Sequence, residues 1–141
     1  LEAVKSSFRG QLVTQYHRDG EQEYAQENGI LAYPGRDAPG LGRDMLHFND
    51  NSGAQAINLA YLLGATRIIL IGYDMQNTGG RAHWFGEHPH TLQTGGNYAV
   101  YVDRFARLAS DLAYEGVEVI NCTRETALHQ FRRARLEDVY G

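Results

Sequence analysis

The sequence predicts an α/β fold with a mostly parallel sheet and helices on both of its faces, a three-layer arrangement. Three observations carry this. Residues 51–74 spell a polar turn, an apolar helix, a short connection and a buried strand, with Asp74 just beyond the strand. Residues 97–121 repeat the order of capped helix and then strand. The β-branched and aliphatic run at 67–71 does not alternate with polar residues, which marks a strand covered on both faces. Helices alternating with strands in this way join parallel neighbours.

The elements follow in order. Residues 12–16 and 30–33 are short strand candidates, and the polar stretch 19–28 between them, with Glu21, Glu23 and Glu27, reads as a surface excursion. Pro34, Gly35, Pro39, Gly40 and Gly42 make residues 34–42 a run of turns. Residues 45–48 form a short strand that feeds the first long helix. Asn51 or Ser52 caps that helix, expected at 53–63, by accepting from its unpaired first-turn N–H groups. Ala56, Leu59, Ala60 and Leu63 share one face, with Ile57 and Tyr61 beside it, so the helix is expected to be buried nearly all round. Gly64 supplies the left-handed residue that ends it. Residues 67–71 are expected to be the central strand, flanked by 117–121 or 45–48.

Residues 73–96 form a long non-periodic loop carrying Gly79, Gly80, Gly86, Gly95 and Gly96, a length that usually marks a lid, a binding loop or a disordered segment. Asn97 caps a second helix at 98–115, where Tyr101, Phe105, Leu108 and Leu112 make one apolar stripe and Asp103 stands four residues before Arg107. Gly116 ends it, 117–121 is a strand, and 124–131 reads as a short helix. Arg132, Arg133 and Arg135 then read as a solvated helix face.

The 141 residues are expected to form one domain, and 43% hydrophobic with 21% charged residues is the balance of a globular chain. Thirteen basic against seventeen acidic residues give a net charge of −4. That disfavours a nucleic-acid duplex, whose binders present a basic face. The one cysteine, Cys122, has no neighbouring activator in sequence and is expected to be a buried structural thiol. No apolar run approaches the ~20 residues that span a bilayer. No signal peptide opens the chain, and a cytoplasmic location in a bacterial or phage-infected cell is expected.

In an open α/β sheet, helix N-termini and strand C-termini share an edge, and ligands bind there. Asn51, Ser52, Gly53, Gly72, Asp74 and Thr123 all fall on that rim. Asn51, Ser52 and Gly53 serve either as a plain N-cap or as a phosphate site at the helix N-terminus. Asp74 can accept from a sugar hydroxyl, orient a base, hold Mg²⁺ or cap a turn. Thr123 can cap the following helix or touch a nucleotide. His83, His88 and His90 crowd the long loop, and imidazole's ordinary pKa of about 6.5 suits a general base. Their spacing matches no standard zinc signature, so no metal site is predicted, although a metal loop and an ordinary solvated loop both stay open. Gly-x-Ser-x-Gly, P-loop and Gly-x-Gly-x-x-Gly motifs are absent from the sequence.

The Asn51-Ser52-Gly53 turn, the strand end Ile69-Leu70-Ile71-Gly72-Tyr73-Asp74, and Gly116-Val117-Glu118-Val119-Ile120-Asn121 together resemble a phage and bacterial Rossmann-like family. That family is similar to family 42 sialyltransferases and to motility-accessory-factor and 6-hydroxymethylpterin-diphosphokinase-like proteins. The likeness covers about residues 48–136. It implies glycosyl transfer from a nucleotide sugar, a cytidine monophosphate sugar being the expected donor, to a glycan acceptor. It also implies Asn51, Ser52 and Gly53 at the donor and one of His83, His88 and His90 as the base. Relatives open with a Gly-x-Gly-Pro-Ser turn that binds the nucleotide. This chain begins at Leu1 and has no such turn, so either it is a C-terminal portion of the family fold or part of the donor site is lost. The alternatives are Mg²⁺-dependent diphosphate transfer from ATP to a pterin-like alcohol, and a non-catalytic phage accessory protein. A homo-oligomer is compatible with all three.

Overall fold

A computed structural model describes residues 6–80 and 97–140. In chain order they form β1 (Val13–Tyr16), α1 (Glu21–Glu27), β2 (Leu31–Arg36), β3 (Leu46–His47), α2 (Ser52–Leu62), β4 (Arg67–Leu70), α3 (Tyr98–Tyr114), β5 (Glu118–Asn121), β6 (Arg132–Arg133) and α4 (Leu136–Tyr140). The strands make two three-stranded sheets, β1-β2-β3 and β4-β5-β6. Every pairing is parallel: Val13 lies beside Leu31, Gly35 beside Leu46, Arg67 beside Glu118, and Ile120 beside Arg132. The α/β class with parallel strands is therefore as the sequence predicts.

Several local expectations are corrected. The middle strand of the second sheet is β5, not β4. Its Val119, Ile120 and Asn121 are all buried, whereas β4 buries only Leu70 and leaves Ile71 exposed just beyond its end. The stretch 19–28 is no mere excursion, since α1 occupies most of it and lays Ala25 fully inside. Arg107 pairs with Asp111 at 3.1 Å, not with Asp103, because Asp111 also faces the turn-rich segment and accepts the Leu41 N–H at 3.0 Å.

Residues 124–131 are not helical, because side chains there take the backbone groups that a helix would use. Asn121 Oδ1 accepts from the Thr123 N–H, Thr126 Oγ1 accepts from the Leu128 N–H, and Asn121 Nδ2 donates to the Leu128 carbonyl. Arg132 and Arg133 then belong to a strand rather than to a helix face.

The core gathers Ile57 from α2, Leu70 from β4, Phe105, Leu108 and Leu112 from α3, Val119 from β5, and Leu128 and Phe131 from the segment after it. Phe105 meets Tyr73 and Phe131 edge-on, with ring centroids 6.3 and 6.1 Å apart. The buried face of α2 is Ala54, Ile57 and Asn58, and Leu63, expected inside, is 64% exposed. Asn58 is inside because its amide is bonded: it serves the Gly42 N–H and carbonyl and the His47 N–H. Asn49 likewise accepts from the Gly40 N–H and donates to the Gly40 and His47 carbonyls. These two amides hold the turn-rich segment against α2 and so fix where α2 begins. Gly64 and Gly116, at φ +87° and +73°, follow the last turns of α2 and α3 as predicted.

Candidate functional site

β4 runs into Gly72, whose φ of +77° turns the chain across the C-terminal end of the sheet. From there Tyr73 ties three elements together. Its N–H donates to Thr123 Oγ1 at 2.9 Å, its carbonyl accepts from the Thr126 hydroxyl, and its phenol donates to the Gly53 carbonyl at 3.1 Å. Burial pushes the Tyr73 phenol up from its ordinary pKa, which keeps the proton that this bond needs. The Asp74 carbonyl accepts from the Ala127 N–H at 2.8 Å, and Asp74 Oδ2 accepts from the Thr78 hydroxyl at 2.8 Å. The strand ends and the start of α2 thus meet at one rim.

Two cavities open on it. The larger, of about 810 Å³, is lined by Gly72, Asp74, Thr123, Arg124, Arg133 and Arg135, with Ile71 and Leu136 as apolar wall and Glu125 and Glu137 among its acids. Arg133 lines it while donating from Nη2 to the carbonyls of Thr123 and Arg124 at 2.9 and 3.0 Å. Arg135 is largely exposed, with Glu137 at 3.6 Å. The smaller cavity, of about 480 Å³, is lined by Asp50, Asn51, Ser52, Gly53, Tyr73, Met75 and Tyr101. Gly72 lines both.

The six rim residues predicted from sequence therefore divide. Gly72, Asp74 and Thr123 border the larger cavity; Asn51, Ser52 and Gly53 border the smaller, which Gly72 joins to it. Asn51 is an N-cap, its Oδ1 accepting from the Ala54 N–H at 3.0 Å. Gly53 leaves room for Tyr73, since a Cβ there would stand 2.8 Å from the ring. Thr123 caps no helix, because residues 124–131 are not helical; its hydroxyl accepts from the Tyr73 N–H instead. Cys122 is free and buried, as expected.

His83, His88 and His90 lie outside the described residues. Among the described residues no cluster of three His, Cys, Asp or Glu side chains is placed to hold a metal ion. The sequence reads Arg133 and Arg135 as a solvated helix face and not as site residues. Their clustering near the end of the chain is visible there, but only β6 and the residues after it bring it to the cavity.

No family model, curated protein or solved structure matches the chain. Among the described residues no helix is long and apolar enough to cross a membrane.

Proposed function

We propose that this chain binds a nucleotide sugar in the larger cavity and serves glycosyl transfer of the sialyltransferase type. The observation that supports it is an arginine-bearing cavity at the C-terminal edge of an all-parallel sheet, the usual ligand position in open α/β folds. Its volume falls within the ~300–1,000 Å³ of small-molecule sites. Arg135 and Arg133 meet the donor's phosphate, guanidinium being matched to phosphate oxygens. Asp74 accepts from a hydroxyl of the donor. One of His83, His88 and His90 takes the proton of the acceptor hydroxyl as its oxygen bonds to the anomeric carbon. The bond from that carbon to the phosphate oxygen breaks, and the nucleotide leaves with the electron pair. The arginines stabilise the charge gathering on that phosphate.

Calorimetric titration with cytidine monophosphate tests the proposal. Binding is expected, and Arg135→Ala is expected to weaken it about tenfold, the loss of one charge-assisted contact. The largely exposed Arg135 is the informative choice, because Arg133 also braces the backbone. No binding, or binding indifferent to Arg135→Ala, overturns the assignment. Binding of ATP with Mg²⁺ in place of cytidine monophosphate would instead support diphosphate transfer.

A further inference from the structure

We propose that the smaller cavity is a subsite for a neutral carbohydrate, the acceptor of the transfer. The inference rests on the glycosyl-transfer reading above and moves Asn51, Ser52 and Gly53 from the donor to the acceptor. Among the described residues its lining carries two tyrosine rings, Tyr73 and Tyr101, one carboxylate, Asp50, and no arginine or lysine. A pyranose offers an apolar C–H face and a girdle of hydroxyl donors. Aromatic rings beside a carboxylate answer both, in a cavity whose lining mixes apolar and polar groups.

A phosphate would fit poorly, since Arg104, the cation that reaches the lining residue Asp50, is already held by it at 3.0 Å. That ion pair engages Asp50 Oδ2, and among the described residues Oδ1 is left to accept from a sugar hydroxyl. The Tyr73 ring is fixed by its bond to the Gly53 carbonyl and its edge-on contact with Phe105. The backbone on both sides is strained. Asp50 and Met75 line the cavity at φ +52° and +50°, and Asn49, beside Asp50, is at +52°. Left-handed non-glycine residues cluster where a fold holds side chains for a ligand. Gly72 belongs to both cavities, so a sugar here and a donor in the larger cavity meet at that residue, as transfer between them requires.

The test is saturation-transfer NMR on the full chain, with lactose, maltose and cellobiose as neutral probes and cytidine monophosphate titrated separately. At least one disaccharide is expected to show saturation on its ring C–H protons. Asp50→Asn and Tyr101→Leu are expected to lower that signal about fivefold, with nucleotide affinity changed less than about twofold. Asparagine tolerates the left-handed backbone at position 50, and thermal unfolding of each variant checks that it folds. Nucleotide binding without any disaccharide binding overturns the subsite and leaves the donor assignment standing. Disaccharide binding without nucleotide binding overturns the transferase reading and supports the sugar site. If both variants weaken the nucleotide as much as the sugar, the smaller cavity belongs to the donor and the inference is wrong.

Discussion

Asn58 holds both backbone polar groups of Gly42: its Oδ1 accepts the Gly42 N–H at 3.0 Å, and its Nδ2 donates to the Gly42 carbonyl at 2.8 Å. The same Oδ1 accepts the His47 N–H at 3.0 Å. One buried amide therefore does the work of a strand partner for a segment that has none. Gly42 is close enough to be held this way because a Cβ there would collide with the Met45 carbonyl and crowd Asn58 itself.

Asn58→Ala leaves three buried backbone groups unpaired, so a loss of about 3 kcal/mol is expected. Urea unfolding of wild type and variant measures it. A loss within ~0.5 kcal/mol, the range of ordinary surface changes, would show that water replaces the amide.

The acid response turns on Asp111. Burial alone would raise its pKa, but the Leu41 N–H and the Arg107 guanidinium outweigh that and hold it below the ordinary value of 3.8. A depressed carboxyl stabilises the fold fully above its unfolded pKa, and that contribution is lost as the pH falls toward the folded one. Asp111→Asn is therefore expected to be less stable than wild type at pH 7, with the gap closing below about pH 4. Thermal unfolding across that range checks it, and a gap that widens in acid would contradict it.

Gly53→Ala places a methyl group 2.8 Å from the Tyr73 ring and 3.0 Å from Asn51 Oδ1. Alanine favours a helix, but overpacking a fixed ring costs more, so a net loss of about 1 kcal/mol is expected. Tyr73→Phe keeps the ring and removes only the bond to the Gly53 carbonyl, for a loss of about 1 kcal/mol. If the alanine variant is instead stabilised, as its helix propensity alone would have it, the ring is free to move aside.

Replacing the responsible histidine among His83, His88 and His90 by alanine is expected to lower turnover by roughly 10²–10⁴-fold. Donor affinity should change little, because the base touches the acceptor. Three single variants with wild-type turnover, assayed with a matched donor and acceptor, would remove histidine catalysis from this loop.

Long periodic elements were legible in the sequence. Phe105, Leu108 and Leu112 recur at helical spacing and are all buried, and Asn51, Asn97, Gly64 and Gly116 stand at the helix ends where cap chemistry puts them. What the sequence hid depends on partners far along the chain. Hydropathy turns Asn58 outward, whereas three backbone groups draw it in. Ala25 is the only residue of α1 that is buried, too little to register as a periodic face. Arg132 and Arg133 have the composition of a solvated helix, and only pairing with Ile120 and Asn121 makes them a strand. At the rim, the residues were legible but not their division between two cavities, which the contact of Tyr73 with Gly53 and Thr123 sets.

Because every strand pair among the described residues is parallel, none of these pairs can be nucleated by a tight hairpin. Each must wait for a crossover to bring its strands together, and the entropy of closure grows with the chain enclosed. Val13 meets Leu31 around α1 alone, whereas Arg67 meets Glu118 only after the whole stretch through α3 has closed. Assembly is therefore expected to proceed from the first sheet to the second. Pulse-labelled hydrogen exchange should protect the Leu31 amide, bonded to Leu12, before that of Cys122, bonded to Leu70, and the reverse order would refute this. The cleft lined by β6 and by the residues that follow β4 and β5 then takes shape after the first sheet, so a chain caught halfway through folding already has a sheet but not yet this cleft.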